Sequence, residues 1–153
     1  MKGSAEVIET LRFGIMAERH LNLQYRADGR LVKFIGAKKT AKKLKSFGDD
    51  CHSYLKCLED RCLFLGGKIS GPIADITETD SLTESFKNEL ALEMAIVGPY
   101  EKAIQIAMQA FDDATRNLFE HLIKWHQQAI AWLECQLRLI EAITEPEYIA
   151  EKL

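Results

Sequence analysis

The chain has 153 residues, 47% of them apolar, and its 20 basic against 23 acidic side chains give a formal charge of −3. This is the size of one domain with a substantial core, read as a single unit over 1–153, and the charge balance argues against a nucleic-acid partner. No apolar run approaches the roughly 20 residues needed to cross a bilayer, and the opening Met1-Lys2-Gly3-Ser4 carries no apolar leader, which predicts a cytoplasmic protein without a membrane partner.

Ser4 is positioned to cap a first helix that runs to about Ile35 and stops at Gly36. Its inward series is Val7, Leu11, Gly14, Glu18, Leu21, Tyr25, Asp28 and Val32, in steps of three and four. A second helix spans about Lys38 to Leu65, with the series Leu44, Gly48, Cys51, Leu55, Leu58, Cys62, Leu65, and Gly66-Gly67 ends it. The lysines at its start, Lys38, Lys39, Lys42, Lys43 and Lys45, read as a solvated face. Residues 68 to 80 form one long connection containing Gly71-Pro72.

Ser81-x-x-Glu84 is a capping box that opens a third helix, whose series is Phe86, Leu90, Glu93, Val97, Tyr100, Ile104, Ala107, Phe111. Pro99 removes one backbone hydrogen bond within it and predicts a kink. Asp112-Asp113 breaks the chain into a fourth helix ending near Ala142, with Leu122, His126, Ala129, Leu133, Leu137 and Ile140 inward. Thr144-Glu145-Pro146 starts a short fifth helix with Pro in its first turn. Two helical hairpins joined by a long crossover give an all-α fold, an antiparallel four-helix bundle with a short fifth C-terminal helix, of the ferritin-like type.

Glu18, Cys51, Glu93 and His126 each fall near the middle of a helix and on its apolar stripe, so the bundle brings them to one level. Two carboxylates there cannot both stay ionised without a compensating cation or proton. A bound metal meets that need. So does pairing of Glu18 with His126 or another inner cation, with Cys51 and Ala129 merely packing. The cysteines Cys51, Cys57, Cys62 and Cys135 contain no C-x-x-C pair, and their spacing argues against disulfides; the last three read as small packing residues.

The opening Met1-Lys2-Gly3, the stretch ERHLNLQY from Glu18 to Tyr25, LFLGG at 63–67, LALE at 90–93 and WLECQLRLI at 132–140 resemble bacterioferritin along essentially the whole chain. That resemblance implies a hollow cage of twenty-four subunits built from two-fold dimers, iron storage, a di-iron ferroxidase centre in each bundle and a haem shared across each dimer. Two of the family's terminal carboxylate ligands match Glu18 and Glu93. Cys51 and His126 stand where the family has bridging glutamates, and Tyr54 and Ala129 stand where it has histidines, so both Glu-x-x-His motifs are gone.

An ordinary ferroxidase centre cannot be built from this set. Glu18, Glu93, a Cys51 thiolate and a neutral His126 would instead balance one ion, closing a mononuclear shell around Zn, Fe or Cu with Tyr25 and Tyr54 able to hydrogen-bond a carboxylate or gate access. The family's axial haem methionine corresponds to His52, a competent haem ligand. The positions around it read Arg19, Asn22, Arg26, Asp49 and Glu59, which suit a polar dimer seam better than a porphyrin slot. Acidic positions of the family's iron-entry pore read Gly66, Ala131 and Arg138, and its inner-surface histidine reads Ser46, with Asp50 retained. The expectations are therefore an iron-storage cage subunit with a rebuilt one-metal site, or a catalytically silent structural subunit that co-assembles with an active bacterioferritin, or a haem-binding subunit through His52.

Overall fold

The computed structural model describes residues 2–153; Met1 of the opening tripeptide lies outside them. Five helices follow in order: α1 (Ala5–Ile35), α2 (Lys38–Phe64), α3 (Leu82–Gln109), α4 (Asp113–Ile143) and α5 (Glu145–Glu151). Their ends follow from local chemistry. Ser4 Oγ accepts from the Val7 N–H at 3.2 Å, and Gly36 closes α1 at φ 118°, a conformation that costs glycine nothing and a side chain a good deal. The Ser81 hydroxyl accepts from the Glu84 N–H, but the return arm of the box, the Glu84 carboxylate, takes the N–H of Asp80 rather than that of Ser81. Asp112 caps α4 through the Thr115 N–H and also receives Arg61 at 2.8 Å, which ties the end of α2 to the α3–α4 turn.

The hairpins α1–α2 and α3–α4 pack face to face, and α1 lies along α3. Residues between α2 and α3 cross the outside of the bundle, where Arg12 donates to the carbonyls of Lys68 and Ser70 and Gln24 brackets the peptide of Thr77. The fifth helix bridges both hairpins. Glu145 accepts from the N–H and hydroxyl of Thr83 at the start of α3, the Lys152 carbonyl accepts from the Lys39 N–H at the start of α2, and Tyr148 donates to Gln136 of α4.

The expected stripes of α1 and α2 are buried along their whole length. In α3 the inward line is Leu82, Phe86, Glu89, Glu93, Ile96, Tyr100, Ala103 and Ala107, so Leu90, Val97 and Ile104 sit on its flank. Phe111 is 94% exposed with φ 55°, because the chain has already left the helix and turned there. α3 continues through Pro99, whose ring lies on the exposed face. Cys62 is buried, but Cys57 and Cys135 are exposed rather than packed. No helix among the described residues is long and apolar enough to cross a membrane.

Candidate functional site

Glu18, Cys51, Glu93 and His126 come one from each of the four long helices, and each is at most 1% exposed. His126 stands between the two carboxylates. Its Nδ1 lies 2.5 Å from Glu93 Oε2 and its Nε2 lies 2.8 Å from Glu18 Oε2. Both neighbours are acceptors, so both ring nitrogens donate and the ring is an imidazolium. Burial works against that charge, but Glu18 and Glu93 outweigh it and push the His126 pKa from 6.5 to about 10.

The remaining donors are phenols. Tyr25 Oη donates to Glu93 Oε1 at 2.6 Å, and Tyr100 Oη donates to Glu18 Oε2. Burial, and then the neighbouring carboxylates, hold both phenols well above their ordinary pKa, so they remain donors at any physiological pH. Burial likewise pushes the Cys51 thiol up, reinforced by Glu18 and Glu93, which keeps it protonated and poorly suited to act as a thiolate. Every oxygen of Glu18 and Glu93 has a donor except Glu18 Oε1.

Aromatic rings wall the centre off from the α2–α4 surface. Trp125 meets the His126 ring edge-on with centroids 4.7 Å apart, and Phe47 packs between Tyr25, Trp125 and Trp132. Trp125 Nε1 donates to Asp50 at 3.0 Å, which occupies the one acid retained on the expected iron route. Tyr54 lies in this wall, edge-on to Trp125 and His121, and forms no hydrogen bond with Glu18 or Glu93. The second phenol on the carboxylates is Tyr100. It lay on the α3 stripe, but a tyrosine at a core position reads as packing until its hydroxyl partner, 82 residues away, is known.

Tyr54 and Ala129 contribute no ligand, and the two nitrogens of His126 point at opposite carboxylates rather than toward one common ion. Two irons therefore do not fit, and no group of three or more His, Cys, Asp or Glu among the described residues is arranged to hold a metal ion. His52 is exposed on α2, and on the same surface Arg19 reaches Glu59 at 3.7 Å while the Asn22 amide donates to the Gly48 carbonyl at 2.8 Å. A charged, hydrogen-bonded surface of this kind does not match an apolar porphyrin slot.

A ferritin-like domain matches residues 8–143. The chain is 28% identical over 151 residues to a bacterioferritin of Streptomyces coelicolor, covering 98% of this chain and 90% of that protein. It is 27% identical to a bacterial ferritin of Neisseria meningitidis serogroup B, covering 100% of both. It is 28% identical to a bacterioferritin of Rhodobacter capsulatus, covering 94% of this chain and 89% of that one.

Proposed function

The chain belongs to the ferritin-like domain family, and from that premise we propose that it is a cytoplasmic, bacterioferritin-like cage subunit for iron storage and metal homeostasis whose bundle centre is closed by a proton. The observation that carries this reading is His126 bridging Glu18 and Glu93 through both ring nitrogens. The imidazolium supplies the positive charge that the buried carboxylates require, in the place where the family's resemblance puts iron. Tyr25 and Tyr100 complete the shell, so the network holds together with no ion added. On this reading the subunit does not run di-iron oxidation. Its contribution is structural: homo-oligomeric shell formation through two-fold dimers into a twenty-four-subunit cage, and mixed assembly with an active bacterioferritin.

The test is iron oxidation by the purified homopolymer. The expected rate is close to that of a protein-free control, and fast, saturable oxidation at two irons per subunit would overturn the proposal. A second reading is favoured by the orphaned Oε1 of Glu18 together with the Cys51 thiol beside the same carboxylate. There, Glu18, Cys51, Glu93 and His126 would hold one Zn, Fe or Cu ion after His126 gave up one carboxylate. Metal analysis separates the two: one ion per subunit, lost in Cys51→Ala, supports the second reading, and a metal-free protein that stays empty after incubation with Zn²⁺, Fe²⁺ and Cu²⁺ supports the first.

A further inference from the structure

A second pair of buried acids lies along the α1–α3 seam, beyond the bridged carboxylates. Glu89 is 0% exposed and Asp28 3%, and their side chains face each other at hydrogen-bonding range. Neither oxygen of Glu89 has a donor, nor has Asp28 Oδ2. Asp28 Oδ1 accepts from Gln24 Nε2 at 3.0 Å, the same nitrogen donates to the Thr77 carbonyl at 2.9 Å, and Gln24 Oε1 accepts from the Thr77 N–H at 2.8 Å. Gln24 therefore joins the acid pair to the crossover.

Two facing carboxylates without a cation cannot both be ionised at this depth, since Glu89 has no donor at all and Asp28 has only the Gln24 amide. Among the described residues, the other titratable groups that act on the pair are acids: Tyr25 from α1 and Glu93 one turn along α3. We infer that Asp28 and Glu89 form a second buried proton site, in which one shared proton joins the two carboxyls and, through Gln24, fastens Thr77 of the crossover to α1. A single O–H···O contact, one oxygen from each carboxyl, then accounts for two of the three otherwise orphaned oxygens. Loss of that proton leaves two adjacent buried anions, which separate, and Asp28 no longer fixes the amide that holds Thr77. Burial, then the mutual hydrogen bond, raises the proton affinity of Glu89 above that of an ordinary carboxyl. The clasp is thus intact at low and neutral pH and opens as pH rises through the titration of the pair. None of this depends on what the four-helix centre binds.

The experiment uses the full-length assembled protein, with infrared spectroscopy and hydrogen–deuterium exchange of the Thr77 amide across alkaline pH. The wild type should show a buried protonated-carboxyl C=O band at neutral pH that is absent in Glu89→Gln. Thr77 protection should fall with pH at least tenfold beyond the base-catalysed trend in wild type, and should follow that trend in Glu89→Gln, whose amide donates to Asp28 without titrating. Should Glu89→Gln fail to fold, Asp28→Asn gives the same comparison, and the wild-type band stands alone as a readout. Absence of the band, an unchanged Thr77 profile in the variant, or a bound cation in chelator-free protein that disappears with Glu89→Gln would each overturn the inference.

Discussion

Replacing His126 by Gln removes the charge between Glu18 and Glu93 while keeping a side chain of similar reach. A pKa raised from 6.5 to about 10 corresponds to roughly 5 kcal/mol favouring the imidazolium in the folded state. Breaking a buried ion pair by removing one partner costs about 3–5 kcal/mol in general, the same size. For a domain of this length that is a fall in Tm of roughly 10–20 °C. The sign with pH follows from the raised value. The stabilisation is complete below the unfolded pKa of 6.5 and is lost as pH rises through about 10, so the gap between wild type and His126→Gln should narrow steadily across that interval. Denaturation of both proteins at one fixed concentration, from pH 6 to 10, measures it, and NMR of the imidazolium N–H protons reports the titration directly. A gap under about 1 kcal/mol, or one independent of pH across this range, would refute a bridging imidazolium.

Tyr100→Phe and Tyr25→Phe each delete a phenol donor to a buried carboxylate, and each should lower stability by roughly 1–3 kcal/mol in chemical denaturation without changing the size of the assembly. Restoring both Glu-x-x-His motifs with Cys51→Glu, Tyr54→His, His126→Glu and Ala129→His should convert a slow homopolymer into one that oxidises Fe²⁺ with two-iron stoichiometry, followed by stopped-flow absorbance. Size exclusion with light scattering should find a large hollow assembly at micromolar concentration, and a monomer or dimer alone would count against the cage.

Helix boundaries were largely legible in the sequence because they rest on local chemistry: Ser4, Gly36, Ser81 and Asp112 act within a turn of where they stand. The inward placement of Glu18, Cys51, Glu93 and His126 was legible for the same reason, since periodicity reports which face a residue occupies. What periodicity does not report is which side chains satisfy one another. Glu89 was missed because the series through Leu90 and Val97 looked continuous, and a glutamate beside it reads as a flank residue. Tyr54 is expected near the carboxylates, able to hydrogen-bond one or to gate access, and its edge-on placement against Trp125 and His121 depends on a neighbouring helix that its own sequence position does not report. That His126 bridges two acids depends on rotamers set by three other helices, which no local pattern encodes.

The contacts of α5 bear on the order in which the chain comes together. The first turn of α3 receives Glu145 from 62 residues downstream, and Thr40 near the start of α2 meets the Tyr148 hydroxyl 108 residues away. Glu145 and Tyr148 follow both hairpins in the chain. Both hairpins can therefore pair before α5 docks, but the first turns of α2 and α3 are not complete until residues 145–152 arrive. The fifth helix is a latch that follows the bundle it fastens, and a chain stopped short at residue 143 would leave Thr83, Thr40 and Gln136 each without that partner.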